Sequence, residues 1–240
     1  MTTPFDFSAI PILDYSLLHS PATRAEFLEQ LRHALINVGF LYLSNHSVSQ
    51  TDIDLLISYI PKFFGLPQDV KDKIDKVHSP HFLGYSKFGT ELTKGAVDQR
   101  EQFDVATKHI YRWKEGDPDY YRTWGPSQVG TRGQFKQTIK FLLKWPDEAL
   151  IPGFRGVVER YLDQVQDLSY KFSSLVAEAF GLGPGGLSPF YDAPEFMQHR
   201  AKIVQYPVTE GSNDQGVGPH YDGGFLTFVR EYLIAIVGAL

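Results

Sequence analysis

With 240 residues, the chain is long enough to bury a core as one large domain or as a domain with an N-terminal extension. Its 28 acidic and 23 basic residues give a net charge of -5 with no dense basic run, which argues against a nucleic-acid partner. The chain has no cysteine, so disulfides, thiolate metal sites and a cysteine nucleophile are excluded. Any metal site must therefore use histidine and carboxylate ligands.

The sequence gives no sign of secretion or of a membrane anchor. Residues 1–10 contain Asp6 and no basic residue, which is unlike a secretory signal. No stretch reaches the roughly 18 consecutive apolar residues of a membrane span. We expect a cytoplasmic protein that neither spans a membrane nor binds nucleic acid.

The first 76 residues predict short strands that alternate with helices. A strand is expected at 10–14, and a helix follows in which Thr23 and Glu26 have the spacing of a capping box. Gly39 ends that helix, and residues 40–43 predict a buried strand. A second helix begins at Ser49 and Asp52 and closes at 63–67, and a third, more charged helix is expected from 68 to about 76.

The rest of the chain predicts two loops, two strands and one long helix. Residues 78–103 are polar and contain several glycines, which predicts an exposed loop over a cleft. A strand is expected at 101–106. Another loop is expected at 114–128. Apolar residues at alternating steps of three and four predict a long helix over 153–181, and a strand is expected at 199–206.

Residues 216–228 contain the strongest candidate for chemistry. Glycines and Pro219 mark a turn, and the apolar run after Gly224 predicts a strand. Side chains two residues apart on an extended backbone project to the same side, so His220 should lie beside Asp222. With one further histidine, such a pair forms the 2-His-1-carboxylate triad that binds Fe(II).

Most of the other histidines have ordinary explanations. His33 lies in a helix beside its apolar stripe, and four more occur in loop-like contexts, where surface or hydrogen-bonded roles are expected: His19, His46, His78 and His81. A lone His-x-Asp pair also occurs often by chance, so the pair alone does not identify a metal site.

Several motifs in a fixed order carry a more specific signal. They are Ile10-Pro-Ile-Leu-Asp14, Gly39-Phe-Leu-Tyr-Leu-Ser-Asn-His46, Phe63-Phe-Gly-Leu-Pro67, Gly84-Tyr85, Glu101-Gln-Phe-Asp104, the long helix, and His220-Tyr-Asp-Gly-Gly-Phe-Leu-Thr227. This set, spanning most of residues 8–228, resembles the isopenicillin-N-synthase-like branch of the Fe(II)/2-oxoglutarate-dependent dioxygenases.

The resemblance implies an α+β fold. A helical and loop-rich N-terminal region would occupy residues 1–113, and a loop with an insertion at 129–144 would occupy 114–152. Residues 153–240 would hold the long helix and the first strands of an incomplete double-stranded β-helix, or jelly roll.

The resemblance also implies the cofactors and their ligands. Fe(II) would be bound by His220 and Asp222, and the Tyr206 hydroxyl would bind a carboxylate of the co-substrate 2-oxoglutarate. A strand tyrosine packed on the sheet is the alternative for Tyr206. Val204 stands where many members have an asparagine that contacts the co-substrate. The further partners implied are O2 and a small-molecule substrate.

The chain departs from the family pattern after Phe228. The distal histidine and the Arg-x-Ser pair of the family do not follow Asp222, and Arg230 is followed by Glu231-Tyr232. We therefore expect a C-terminal truncation. Segments 129–144 and 229–240 both begin with valine, whose codons start with GT, so we hypothesise that both are translated introns. A genuine loop insertion in a short paralogue is the alternative, and sequencing the spliced transcript distinguishes them.

The leading functional prediction is an oxidoreductase of specialised metabolism that hydroxylates, desaturates or cyclises a small organic molecule. Because the distal ligands are missing, we expect little activity from these 240 residues. One alternative is a non-catalytic truncated paralogue that associates with a full-length homologue. Another is an oxidase that uses no 2-oxoglutarate, as isopenicillin N synthase does.

Overall fold

The computed structural model describes residues 10–79, 82–107, 145–194, 197–207, 216–222 and 224–231. The chain forms two compact units, Met1–Ile53 with Glu159–Met197 (unit 1) and Asp54–Val158 with Gln198–Leu240 (unit 2). Both helices and strands are present, as predicted for the α+β class. The predicted loop at 114–128 and the predicted insertion at 129–144 lie outside the described residues.

Unit 1 contains a two-stranded parallel sheet and a helix that connects its strands. Strand β1 (Ile12–Asp14) pairs with β2 (Tyr42–Ser44), with Ile12 opposite Tyr42. Helix α1 (Pro21–Asn37) runs between them in sequence. Most buried apolar residues of this unit come from β1, α1 and the later helix α4 (Phe154–Ala179), and they include Leu13, Phe27, Leu31, Leu168 and Phe172.

The start of α1 differs from the predicted capping box. Ser20 is the N-cap, and its side chain accepts a hydrogen bond from the Ala22 amide at 3.3 Å. The Thr23 hydroxyl instead donates to the Leu17 carbonyl at 2.6 Å. Pro21 at the first helical position explains the shift, because it lacks an amide hydrogen and its fixed φ suits a helix start. Gly39, with φ of +80°, ends the helix as predicted.

Strand β2 forms where a strand was predicted, but it is not buried. Phe40 is 71% exposed and Tyr42 is 57% exposed, and the opposite Ile12 is 70% exposed. In the described part of the chain the sheet has only two strands, and only the side that carries Leu13 is covered. An apolar run therefore predicted the strand correctly and its burial wrongly.

Helix α2 (Gln50–Phe64) begins at Ser49 as predicted, because the Ser49 hydroxyl accepts from the Asp52 amide at 3.3 Å. Helix α3 (Gln68–Asp72) is shorter than predicted. The Asp75 side chain accepts from the Val77 amide at 3.0 Å and begins a separate 3-10 turn, Lys76–His78. That local hydrogen bond competes with continuation of the helix.

Unit 2 is built on a three-stranded antiparallel sheet in the order β3 (Gly84–Ser86), β6 (Glu101–Ala106), β7 (Arg200–Gln205). The last two strands were predicted, and they pair over six residues from Glu101 opposite Gln205 to Ala106 opposite Arg200. All six residues of β6 are buried. The side chains alternate, so Phe103 and Val105 face one side and Gln102 and Asp104 face the other.

The prediction of an exposed loop before β6 is wrong for its first part. Residues 83–86 are buried, and β3 pairs with β6. Gly84 has φ of +132°, and a Cβ there would lie 2.5 Å from the Ile74 carbonyl, so the close approach of this strand requires glycine. The exposed part is a hairpin of β4 (Leu92–Thr93) and β5 (Ala96–Val97).

Helix α4 (Phe154–Ala179) confirms the long helix predicted over 153–181. Its first residues belong to unit 2, where Phe154 stacks on Phe63 with ring centroids 5.1 Å apart and also contacts Phe103 and Trp145. Its remaining residues belong to unit 1, where Glu178 receives two hydrogen bonds from Arg24. None of the helices in the described residues combines the length and apolarity needed to cross a bilayer.

Candidate metal centre

The segment that carries His220 is anchored at its beginning. The Gln99 amide donates to the Gly216 carbonyl at 2.8 Å, just before β6. Gly218 lies against the hairpin, since a Cβ at this position would be 3.2 Å from Thr93 Cγ2. These contacts fix the backbone two residues before His220.

The His220 ring is held by a backbone carbonyl. Its Nδ1 lies 2.9 Å from the Gly218 carbonyl oxygen, and its side chain is 46% exposed. A carbonyl oxygen can only accept, so Nδ1 must carry the hydrogen and donate it. In the neutral ring, Nε2 then has the free lone pair that a metal ion requires.

Asp222 lies beside that lone pair. Its Oδ1 is 3.4 Å from His220 Nε2, and its Oδ2 accepts from the Thr227 hydroxyl at 2.6 Å. Two electron-rich atoms at this separation need a cation near them, either a proton on the imidazole or a metal ion. Ligands at neighbouring positions of an octahedral ion, each at about 2.1 Å, lie about 3 Å apart, so the pair fits a metal ion with little movement.

The backbone around the pair is not the predicted strand. Residues 218–222 and 224–231 form no strand in the structure, although the apolar run after Gly224 predicted one. A strand is defined by its pairing with another strand, and none of the sheets in the described residues includes this segment. His220 and Asp222 nevertheless lie side by side, as the alternation argument predicted.

A third ligand is not found in the described residues. No group of three His, Asp or Glu side chains there is arranged to bind a metal ion. Two of the eight histidines, His81 and His109, lie outside the part of the chain that the structure describes. The donor set within the described residues is therefore one imidazole and one carboxylate.

Tyr206 follows β7 directly and is half exposed. Its ring lies against the backbone of Gly216, where a Cβ would be 2.4 Å from Tyr206 Cδ1, so a larger residue at Gly216 would displace the ring. Alternation along the strand places Tyr206 on the same side as Val204. Val204 lies opposite Gln102 and has no polar group to offer a ligand.

Arg100 belongs to a charged cluster that the sequence did not reveal. Its Nη2 lies 2.9 Å from Asp98 and 3.1 Å from Glu91. Burial opposes the charge on the guanidinium, but the neighbouring Tyr206 side chain and the carboxylates of Asp98 and Glu91 raise the pKa of Arg100. Alternation of Gln102 and Asp104 with apolar residues was the available signal for a polar face on this sheet.

Two carboxyls in this cluster have opposite shifts. Burial would raise the pKa of Glu91, but the hydrogen bond and charge of Lys76, with Lys202 and Arg100, hold that pKa below its ordinary value. Burial raises the pKa of Asp104, although Lys202 lies 3.8 Å away. The difference follows from the donors: Glu91 pairs with both Lys76 and Arg100.

Comparison with known proteins shows the family of this chain. A family model described as the N-terminal region of non-haem dioxygenases in morphine synthesis matches residues 10–132, just over half of the chain. The chain belongs to the non-haem 2-oxoglutarate-dependent dioxygenases. Fe(II) and 2-oxoglutarate are the cofactor and co-substrate of this family.

The names of two curated relatives agree with this assignment. The chain is 40% identical over 230 residues to the 2-oxoglutarate-dependent dioxygenase frbJ of Dothideomycetidae sp. (strain 11243). It is 34% identical over 232 residues to a 2-oxoglutarate-dependent dioxygenase of Gibberella zeae. Each alignment covers 94% of this chain and 56% of the relative. This chain therefore spans about half the length of these curated relatives.

The fold is that of the same family. A putative 2OG-Fe(II) oxygenase family protein from Caulobacter crescentus superposes with a TM-score of 0.61 at 20% sequence identity, covering 86% of this chain and 59% of that one. At this identity the likeness concerns the fold alone.

Proposed function

We propose that this chain carries the iron- and co-substrate-binding residues of an Fe(II)/2-oxoglutarate-dependent oxygenase that oxidises a small organic molecule. The observation that supports the proposal is the pairing of His220 Nε2 with Asp222 Oδ1 at 3.4 Å. Each of the two side chains is also oriented by a second group, the Gly218 carbonyl and the Thr227 hydroxyl. Such outer hydrogen bonds are characteristic of metal ligands.

Each residue has a defined task in this proposal. His220 and Asp222 would hold Fe(II), and the Tyr206 hydroxyl would donate to a carboxylate of 2-oxoglutarate. When bound, iron and 2-oxoglutarate together activate O2 for oxidation of a substrate C–H bond. The Thr227 hydrogen bond keeps Asp222 Oδ2 occupied and leaves Oδ1 directed toward the imidazole.

We further propose that this activity is impaired in the 240-residue chain. A facial triad needs three protein ligands, and the described residues supply two. Two ligands bind a metal ion more weakly and orient it less well than three. Weak metal binding with slow turnover is the expected behaviour.

In the first test the full chain is titrated with Mn(II). Binding is measured as the loss of the free-ion signal in electron paramagnetic resonance. We expect one weak site per chain that is lost in His220→Ala and in Asp222→Ala. His46→Ala is the matched control, because His46 is also a partly exposed loop histidine. Its Nδ1 accepts from the Val48 amide, whereas His220 Nδ1 donates to the Gly218 carbonyl. Absence of a site in the wild type, or binding unchanged in His220→Ala, would overturn the proposal.

The second test follows 2-oxoglutarate consumption and succinate formation under air with Fe(II) and ascorbate. We expect slow succinate formation that depends on iron and is abolished in His220→Ala. Turnover that persists in His220→Ala would show that the pair is not the metal site. Turnover at the rate of a full-length relative would contradict impairment while leaving the metal site supported.

A second candidate function is association with a full-length homologue. It is supported by three exposed apolar side chains at the β1–β2 sheet, Ile12, Tyr42 and the adjacent Phe40. Exposed apolar surface on a small sheet is often buried when a partner protein binds. Size-exclusion chromatography of the chain mixed with a homologue tests it. A complex lost in Ile12→Ser and Tyr42→Ser supports this function, and two independently eluting proteins contradict it.

A further inference from the structure

Three buried polar atoms without a hydrogen-bond partner lie close together in the sequence. They are Asp98 Oδ1, Arg100 Nε and Gln102 Oε1, and they make up three of the five such atoms in the described residues. Asp98 is 2% exposed and Gln102 is 1% exposed. A buried polar group without a partner destabilises a fold, and native chains satisfy nearly all of them. Their concentration at one place indicates a site that a ligand completes.

Gln102 is held in one orientation by its amide nitrogen. Its Nε2 donates to Glu91 at 3.0 Å and to Asp104 at 2.8 Å, so both of its N–H groups are used. Because an ionised carboxylate can only accept, the nitrogen must face this pair and Oε1 must face away from it. The atom that Gln102 leaves free is therefore an acceptor.

Asp98 and Arg100 hold each other in the same way. Arg100 Nη2 donates to Asp98 Oδ2 at 2.9 Å and to Glu91 at 3.1 Å. The Thr93 hydroxyl also donates to Asp98 Oδ2, at 3.1 Å. Asp98 Oδ1 is left as a second free acceptor, and Arg100 Nε–H is left as one free donor. Side chains that are fixed before a ligand arrives lose less entropy on binding it.

These atoms lie at the base of the hairpin of β4 and β5. Glu91 precedes β4 and Asp98 follows β5, and the Asp98 amide donates to the Glu91 carbonyl at 2.9 Å. Each strand has two residues, and the turn between them has positive φ at Lys94 (+50°) and Gly95 (+84°). A two-stranded hairpin this short is marginally stable by itself. It can therefore move and admit a small molecule to the atoms at its base.

The base of the hairpin also contacts the segment that carries the candidate metal ligands. The amide of Gln99, the residue after Asp98, donates to the Gly216 carbonyl at 2.8 Å. Gly218 lies against the last side chain of β4, and its carbonyl accepts from the His220 ring at 2.9 Å. A molecule bound at Asp98 would therefore lie next to the proposed iron site.

The charges of the cluster indicate a neutral ligand. Lys76 and Arg100 both pair with Glu91, and Arg100 also pairs with Asp98, so two cations face two carboxylates. An added ammonium or carboxylate would bring a buried charge without a counter-ion. A primary carboxamide is neutral. It has two N–H donors for the two free acceptors and one carbonyl for the free Arg100 Nε–H.

We propose that Asp98, Arg100 and Gln102 form a substrate site for a primary carboxamide, and that the β4–β5 hairpin closes over it. As a substrate site it rests on the proposed function. Asp98 determines the specificity, because Asp98→Asn converts its free acceptor into a donor. Arg100 and Thr93 both donate, so the amide oxygen of this variant must face them and its nitrogen must take the free position.

The test measures binding of three probes to the full chain by ligand-detected NMR without metal: pentanamide, pentanoate and pentylammonium. We expect pentanamide to bind about tenfold more tightly than either ion. Asp98→Asn should weaken pentanamide binding about tenfold, because N–H groups then face each other. Gln102→Met keeps the length of the side chain without its acceptor and should weaken binding about as much.

Asp72→Asn is the matched control. It makes the same chemical change in the same unit, at a half-exposed side chain that pairs with Lys87 at 3.1 Å. It should bind pentanamide as the wild type does. Thermal unfolding establishes that each variant is folded.

Relaxation by Mn(II) tests whether the carboxamide site belongs to the proposed oxygenase. With Mn(II) bound at His220 and Asp222, the protons of bound pentanamide should relax faster in the wild type. In His220→Ala they should not, although pentanamide still binds.

Two results would overturn the inference. One is equal binding of the three probes, or unchanged pentanamide binding in Asp98→Asn or, if that variant does not fold, in Gln102→Met. The other is the absence of faster relaxation in a chain that binds both Mn(II) and pentanamide, because the carboxamide would then lie away from the metal. Preference for pentanamide in a chain that binds no Mn(II) would support the carboxamide site and contradict the proposed function.

Discussion

Strand β6 and the segment that carries His220 and Asp222 lie in the same unit, yet their ionisable side chains have opposite surroundings. In β6 all six residues are buried, and Glu101 accepts from both Lys71 and Tyr85. His220 and Asp222 are about half exposed. In β6 the chain satisfies its own charges, which stabilises the fold, whereas the exposed pair keeps coordinating atoms available to a ligand.

The largest expected difference between the two regions is in packing. Phe154 is 1% exposed and stacks on Phe63, so Phe154→Ala should lower the free energy of unfolding by about 3–5 kcal/mol. Tyr221 is 98% exposed, and Tyr221→Ala should change it by less than about 0.5 kcal/mol. Urea unfolding of both variants measures the contrast, and equal midpoints would contradict it.

The next effect concerns the buried ion pair. Lys71 and Glu101 are 3.1 Å apart with side chains 7% and 11% exposed, so Glu101→Gln leaves a buried ammonium without its counter-charge. We expect a loss of about 3 kcal/mol in the free energy of unfolding. The double variant Lys71→Met/Glu101→Leu should lose less, because no charge remains buried. A greater loss in the double variant would contradict this account.

A smaller and pH-dependent effect distinguishes Glu91 from Asp104. The pKa of Glu91 is lowered from 4.5, so its stabilisation is present above pH 4.5 and is lost as the pH falls toward its folded-state pKa. Glu91→Gln should therefore cost about 1–2 kcal/mol at pH 7 and progressively less below pH 4.5.

Asp104 should behave with the opposite sign. Its pKa is raised from 3.8, so the free energy of unfolding falls as the pH rises from 3.8 through its folded-state pKa. Asp104→Asn should remove that fall. Urea unfolding between pH 3 and pH 8 measures both variants, and pH profiles of the same sign would contradict the assigned shifts.

The smallest effect on stability is expected at the candidate metal site. Without metal, His220→Ala and Asp222→Asn should each change the free energy of unfolding by less than about 0.5 kcal/mol, since both side chains are half exposed. Mn(II) at ten times its dissociation constant should stabilise the wild type by about 1.4 kcal/mol and neither variant. Thermal unfolding with and without Mn(II) checks this, and equal stabilisation of His220→Ala would contradict it.

The sequence predicted best the elements whose signal is long or local. The 26 residues of α4 follow from apolar spacing, and the pairing of His220 with Asp222 follows from alternation over three residues. It predicted poorly what depends on distant partners. Strand β3 has three residues, too few for a period to show, and is held by pairing with β6.

The same reasoning explains why burial at β2 was wrongly predicted and why the Arg100 cluster was not predicted. The apolar residues around β2 could not reveal that one side of its sheet is uncovered. The Arg100 cluster joins residues from the hairpin region and from the segment just before β6, and no local pattern brings Glu91 to Arg100. Predictions about segment 129–144 stay predictions.

Tyr221 stands between the two proposed ligands in sequence and is almost fully exposed. This makes it a natural position for an optical probe, because Tyr221→Trp would place an indole next to the site at little cost to packing. The chain has three other tryptophans, of which Trp145 is half-buried and packs against Phe103 and Phe154. Quenching of the new, solvent-facing emission by a paramagnetic ion would then report occupancy of the site directly, in a protein with no visible chromophore of its own.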